Sequence, residues 1–272
     1  MIGGSLAGAL KLHGFEGHIS ALVRRDTVGK RGTELGLIDE YATDAAVLVP
    51  RADMIMLAVP MLSMRQQMQA IVGHLSANAI VTDAGSVKMP FIDDAKAVLG
   101  DLSNVVPGHP IAGREKTGVD AADARLYTNR RVLLTPIAQS RPEAVAKVQR
   151  LWELAGARVE CLAPEHHDRV LASTSHLPHV LAFGLVDTLA TQQEAEEIFR
   201  YAAGGFGDFT RIASSDPVMW RDVCLSNRRA ILQSMDYLDT HLKALRAAIE
   251  SSDGDAIEAT FIRAKNARDT FS

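Results

Sequence analysis

The residues best placed to do chemistry begin with the histidine of Gly108-His109-Pro110-Ile111-Ala112-Gly113, which directly follows the apolar run Asn104–Pro107. Glycine and proline on either side restrict the backbone and predict a ring displayed at a strand end rather than packed inside. Ligands of open α/β sheets sit at the carboxyl ends of strands, which is where a hydride-transfer enzyme would keep its base. A histidine that only caps a turn is the simpler reading, and a second cluster weighs against it. Ser175-His176-Leu177-Pro178-His179 holds two imidazoles three residues apart, which a helix places on one face. The run His166-His167-Asp168 has the side chains of a metal site without its spacing, because neighbours on a helix point about 100° apart. It reads as the polar start of a helix, and no metal is expected.

These residues need elements to hold them. As far as about residue 163, short apolar runs alternate with amphipathic segments, the pattern of a parallel sheet covered by helices. The strand-like runs are His18–Val23, Met54–Pro60, Ala79–Gly85, Asn104–Pro107, Arg131–Thr135 and Arg158–Ala163. Leu62–Leu75 and Pro142–Ala155 carry apolar residues at helical spacing, and Pro142 suits a first helical turn. After Pro164 the strand signal stops, and helices are expected throughout except for a glycine-rich break at Ala203-Gly204-Gly205-Phe206-Gly207. The chain therefore divides into residues 1–163 and 164–272. Ile231, Met235, Leu238, Leu242, Leu245 and Ile249 recur at alternating spacings of 4 and 3, an apolar seam along one long helix. Such a seam suits burial within the subunit as well as it suits a subunit interface.

Composition narrows the class. With 272 residues, 47% of them hydrophobic, the chain can bury one large core or two medium ones. A formal charge of -4 provides no basic field for nucleic acid or anionic lipid, so neither is expected as a partner. Cys161 and Cys224 are far apart and lack ligand spacing, which points to two unpaired, mostly buried thiols in a reducing compartment such as the cytoplasm. No run approaches a membrane span, and no signal peptide is read at the N-terminus.

The opening Met1-Ile2-Gly3-Gly4-Ser5-Leu6-Ala7-Gly8 looks like the end of a dinucleotide-binding turn entering its helix. With Gly3 as the third glycine of that fingerprint, the first strand and the first two glycines would lie upstream of Met1, and neighbouring strand edges would be left unpaired. The second strand ends at Val23 and is followed by Arg24-Arg25 before Asp26. An acid at that strand end favours NAD, whereas arginine accommodates the extra phosphate of NADP. Gly3, Gly4, Ser5, Arg24, Arg25 and Pro60 are the expected cofactor-facing residues.

Two further segments complete the pattern: Thr82-Asp83-Ala84-Gly85-Ser86-Val87-Lys88, and Gly205-Phe206-Gly207-Asp208-Phe209-Thr210-Arg211-Ile212. Taken in order with the two histidine motifs, they resemble the prephenate/arogenate (cyclohexadienyl) dehydrogenase family of tyrosine biosynthesis. The resemblance runs along essentially the whole chain and includes Gly36-Leu37-Ile38-Asp39, Glu115-Lys116-Thr117-Gly118 and Ser215-Asp216-Pro217-Val218-Met219-Trp220. It implies a Rossmann-like, doubly wound α/β domain lacking its first strand, followed by an all-helical dimerisation domain, with NAD(P)+ as cofactor and a homodimer as assembly. The implied reaction is oxidative decarboxylation of prephenate or arogenate. Hydride loss builds positive charge at the hydroxyl-bearing carbon, and a neutral imidazole, with an ordinary pKa of about 6.5, can relieve it by accepting the hydroxyl proton. His109 matches the catalytic histidine, and Ser86 matches a serine that bonds substrate and histidine, although it could equally be a helix N-cap. Arg211 matches a carboxylate-gripping arginine, His179 a substrate-binding histidine with His176 in support, and Glu115 and Asp208 acids at the pocket mouth.

Two rival readings remain at this level. A β-hydroxyacid-type dehydrogenase shares the domain plan but relies on a lysine in the helical half, and none stands near Ser175–His179. A non-catalytic binding or dimerisation relative would fit the halved cofactor turn.

Overall fold

Consecutive residues of a strand face opposite ways, so a strand with two buried apolar neighbours must be covered on both sides. Ile80 and Val81 are such a pair, as are Val105 and Val106. They belong to a computed structural model that describes residues 1–113 and 116–270. The chain falls into two compact units, Met1–Arg228 and Arg229–Ser272. The strands of the first are β1 (Ser20–Leu22), β2 (Glu40–Ala42), β3 (Met54–Leu57), β4 (Ile80–Asp83), β5 (Val105–Val106), β6 (Gly108–Pro110), β7 (Arg131–Leu134) and β8 (Arg158–Cys161). Its helices are α1 (Ile2–Leu12), α2 (Asp26–Glu34), α3 (Ala45–Leu48), α4 (Met64–Ile71), α5 (Met89–Leu99), α6 (Pro142–Leu154), α7 (Pro164–Leu171), α8 (Leu177–Ala190), α9 (Ala195–Arg200), α10 (Gly204–Thr210) and α11 (Pro217–Ser226).

Ile80 and Val106 pack with Leu6 and Leu10 of α1 and with Val148 and Trp152 of α6. Val81 and Val105 pack on the other face with Met64 and Met68 of α4 and with Phe91 and Ala95 of α5. This is the Rossmann-like plan of helices on both faces of largely parallel strands, which pair here, among the described residues, as three sheets ordered β1-β2, β3-β4-β5 and β6-β7-β8. β3, β4 and β5 pair in parallel, β7 and β8 pair in parallel, and β1 and β2 form their own parallel pair. Among the described residues β1 pairs with β2 alone and β3 with β4 alone. Gly29 lets α2 lie against β2, since a Cβ there would stand 2.2 Å from the Tyr41 ring.

Five features depart from the sequence reading, the first being that Cys161 is exposed and Cys224 only partly buried rather than both being mostly buried. The segment Gly108-His109-Pro110 is not a loop beyond a strand but a strand itself, antiparallel to β7, with His109 opposite Leu133. His109 is accordingly buried, with 9% of its surface exposed, and is not displayed. β2 was not read at all, because Glu40-Tyr41-Ala42 has no apolar run to mark it. The glycine-rich stretch Gly204–Thr210 is helical, and the interruption lies just before it.

The helices carrying the downstream histidines are joined by a π turn at Ala172–His176. Pro178 sits in the first turn of α8 and cannot donate to the carbonyl four residues back, so the ladder widens upstream of it. The second unit contains α12 (Arg228–Glu250) and α13 (Gly254–Asp269), the latter capped by the Asp253 side chain on the Ala256 amide. The seam read from the sequence lies on α12, where Met235, Leu242 and Ile249 are exposed in the single chain. No helix of the described residues is long and apolar enough to cross a membrane.

Candidate active site

Two buried groups, Asp83 and Lys88, fix the backbone beside His109. Asp83, the last residue of β4, accepts the Gly85 amide at 2.8 Å and the Gly108 amide at 3.0 Å. It also forms a fully buried ion pair with Lys88, whose ammonium donates to the Gly108 carbonyl at 2.6 Å. Both edges of the Gly108 peptide region are thereby clamped, one residue from the imidazole. Burial pushes the Asp83 carboxyl above its ordinary range and the Lys88 ammonium below, each held back by the other's charge.

From β6 the imidazole reaches α7. His109 Nδ1 lies 2.9 Å from His167 Nε2, and His167 Nδ1 lies 2.8 Å from Asp168 Oδ1. Asp168 also accepts the Lys88 amide at 2.8 Å and the Met89 amide at 2.9 Å, capping the start of α5 from a distant part of the chain. The His109 ring is held well below the ordinary histidine pKa, first by burial and then by His167, Lys88 and His176. Its Nε2 has no hydrogen bond among the described residues and is not sealed from solvent. A neutral imidazole with one nitrogen tied down and the other open can accept a proton from a bound hydroxyl.

A second set surrounds Trp220 of α11. His179 stacks on the indole with ring centroids 3.5 Å apart, and its Nδ1 is bonded to the Ser175 carbonyl at 2.9 Å. His176 meets the same indole edge-on at 6.0 Å. Asn227 Nδ2 donates to the Asp168 carbonyl at 2.8 Å and to His176 Nδ1 at 3.1 Å. A neutral His176 so bonded carries its proton on Nε2, which is buried and has no partner among the described residues. Burial lowers its pKa to about 4, against a smaller upward pull from Asp168.

The structure thus gathers His109 and His176 around the buried His167 and Asp168, with His179 joined to His176 through Trp220. Reading the His167–Asp168 pair as helix-start polarity missed this. The signal was present: Pro164, His167, Asp168 and Leu171 are the buried positions of α7, at the spacing of an inward helical face. Asn227 and Trp220 were also given no role. Ser86 is half-buried and does not cap α5, whose cap position is Lys88 and whose amides are held by Asp168. Its hydroxyl holds no hydrogen bond among the described residues. Arg211 and Asp208 are both exposed, Arg211 on a 3-10 turn that packs against α8, the helix of His179. Glu115 lies outside the described residues.

The donors at the start of α1 suit a pyrophosphate. The Ser5 amide is the first to bond back, to the Met1 carbonyl at 2.9 Å, so the amides of Ile2, Gly3 and Gly4 have no acceptor within the helix. No side chain caps them. A Cβ on Gly3 would stand 3.1 Å from the Ala58 Cβ, so glycine lets α1 close on the segment that leads from β3 to the exposed Pro60. Ser5 departs from the expectation of a cofactor-facing side chain: it is fully buried, and its hydroxyl accepts the Asp123 amide at 3.0 Å. Arg24 and Arg25 are exposed at the end of β1, where no carboxylate pairs with them among the described residues.

Known proteins resemble this chain along nearly its whole length. The profile of the prephenate dehydrogenase nucleotide-binding domain matches residues 6–161, and that of the prephenate dehydrogenase dimerization domain matches residues 163–263. The chain is 38% identical to a cyclohexadienyl dehydrogenase of Zymomonas mobilis, over 98% of this chain and 92% of that protein. The crystal structure of Aquifex aeolicus prephenate dehydrogenase with hydroxyphenyl propionate and NAD+ superposes with a TM-score of 0.93 at 37% identity, covering 100% of this chain and 95% of that one. A Synechocystis arogenate dehydrogenase superposes with a TM-score of 0.84 at 28% identity, covering 100% and 96% respectively.

Proposed function

This chain belongs to the prephenate dehydrogenase family, and on that premise we propose that it is an NAD(P)+-dependent dehydrogenase of prephenate or arogenate. The reaction removes hydride from the ring carbon that carries the hydroxyl and carbon dioxide from the quaternary carbon, leaving 4-hydroxyphenylpyruvate or tyrosine. The nicotinamide supplies the hydride acceptor when bound. The single observation that carries the reading is His109, neutral, anchored through Nδ1 and open at Nε2.

The residues divide the remaining work. His109 Nε2 accepts the hydroxyl proton as positive charge builds on the ring carbon, and the half-buried Ser86 hydroxyl orients substrate against that imidazole. Arg211 grips a substrate carboxylate, and His179 contacts substrate from its stack on Trp220. His176 offers a buried N–H with no protein acceptor among the described residues. Asp208 and Glu115 are assigned the gating of substrate access on the family resemblance alone. The amides of Ile2, Gly3 and Gly4 hold the pyrophosphate, Pro60 lies against the cofactor, and Arg24 and Arg25 meet a 2′-phosphate, which favours use of NADP+ beside NAD+. Residues 1–163 form the cofactor domain and 164–272 the substrate and homodimer domain of a cytoplasmic enzyme.

The test is to supply the purified protein with prephenate or arogenate and with NAD+ or NADP+ in all pairings. One carbon dioxide released per nicotinamide reduced is expected in at least one pairing. Cofactor binding without turnover in any of them would overturn the assignment in favour of a binding relative.

A further inference from the structure

The geometry points to His167 and Asp168 as positioning residues that set the tautomer of His109 and hold its proton during turnover, an inference that rests on the proposed role of His109. A carboxylate can only accept hydrogen bonds, so the 2.8 Å contact between Asp168 Oδ1 and His167 Nδ1 places a proton on that nitrogen. In neutral His167 the other nitrogen, Nε2, is then a lone pair. The 2.9 Å contact from His167 Nε2 to His109 Nδ1 must therefore be made by a proton on His109 Nδ1. His109 is left with its lone pair on Nε2, the nitrogen that is open to a ligand.

The other charged or titratable groups facing His109 are tied elsewhere. The Lys88 ammonium is held by Asp83 and the Gly108 carbonyl, and His176 is held through Nδ1 by Asn227. Neither competes for His109 Nδ1, so the tautomer is set by the line from Asp168 alone.

The same line accounts for the proton. As hydride departs, the substrate O–H bond breaks and an N–H bond forms at His109 Nε2. The proton on His109 Nδ1 can then pass to His167 Nε2, while His167 Nδ1–H stays on Asp168. Both imidazole states are thereby stabilised by one carboxylate, and no atom leaves the line. Oxidation of the hydroxyl with loss of carbon dioxide ends in a phenol, so one proton must return to the same oxygen, and His109 Nε2–H is placed to supply it. A line that ends at Asp168, whose two oxygens are also occupied by the Lys88 and Met89 amides, stores a proton and gives it back.

Three variants and one spectroscopic measurement test this. His167→Leu removes the acceptor for His109 Nδ1–H, and His167→Gln supplies one through its amide oxygen. The expected result for His167→Leu is a fall in kcat of about 100-fold with little change in KM for the cofactor, together with an altered acid limb of the pH profile. His167→Gln should recover most of that loss. Asp168→Asn should lower kcat as well, because its amide can turn a donor toward His167 Nδ1 and reverse both tautomers. NMR of the ring nitrogens should find His109 protonated at Nδ1 in the wild-type protein whether or not a substrate has been identified. A wild-type His109 protonated at Nε2, or a folded His167→Leu protein with wild-type kcat and pH profile, would overturn the inference. Absence of turnover with prephenate and arogenate in the wild type would instead sink the proposed function, and the NMR result would still decide the tautomer.

Discussion

Replacing Lys88 with methionine isolates the clamp that holds the backbone beside His109. Lys88 and Asp83 are both fully buried, and the ammonium is the only cation paired with that carboxylate among the described residues. Removing one partner of a buried pair leaves an uncompensated charge and costs about 3–5 kcal/mol. Asp83 retains the amides of Gly85 and Gly108 at 2.8 and 3.0 Å, which places the loss near the lower end, at about 3 kcal/mol. Against a domain stability of about 5–15 kcal/mol this is large but need not unfold the protein. The loss should also depend on pH with a definite sign. Without Lys88 the folded-state pKa of Asp83 rises further above its unfolded value. Stability is then fullest below the unfolded pKa and is lost as pH rises through the folded one. Lys88→Met should therefore lie further below the wild type at pH 7 than at pH 5, and Asp83→Asn combined with Lys88→Met should regain much of the deficit. Urea denaturation with the slope held constant measures all three proteins. A single variant within about 1 kcal/mol of wild type at pH 7, or a deficit that grows on acidification, would refute the reasoning.

Other outcomes follow from the same groups. His176 has a folded pKa of about 4 against an unfolded value of about 6.5, so its contribution is fully present above pH 6.5 and is lost as pH falls toward 4. That shift amounts to roughly 3 kcal/mol, and a His176→Gln protein should lose correspondingly less urea resistance between pH 7 and 4.5. Arg24→Ala with Arg25→Ala should raise KM for NADP+ about tenfold while leaving KM for NAD+ nearly unchanged, as steady-state kinetics with each cofactor will show. An equal effect on both cofactors would remove the 2′-phosphate from the account of these arginines.

How much of this was legible in the chain depended on whether a signal was local. β3, β4 and β7 lie within apolar runs read from the sequence, as does the largely exposed β8, and α6 matches its predicted start at Pro142, because apolar runs and amphipathic helices are marks carried locally by the chain. β6 left none. Its glycine and proline are the residues that punctuate chains, yet they lie inside a strand whose partner, β7, is more than twenty residues away. The same remoteness hid the relay. His109 announced itself, but Asp168 caps a helix that begins at Met89, and its use there depends on packing between α5 and α7 that no spacing encodes. Ser86, the local choice for that cap, was passed over. Only the inward face of α7 offered a clue, since its two polar residues fall where an amphipathic helix would carry apolar ones.

The most direct measurement is the turnover of His109→Asn beside the wild type, with substrate and cofactor at saturation and cofactor affinity determined separately. His109→Asn should lose about 100- to 10,000-fold in kcat with cofactor affinity essentially unchanged, because a proton acceptor is removed while the dinucleotide site is left alone. A His109→Asn protein that keeps most of its kcat would contradict that role.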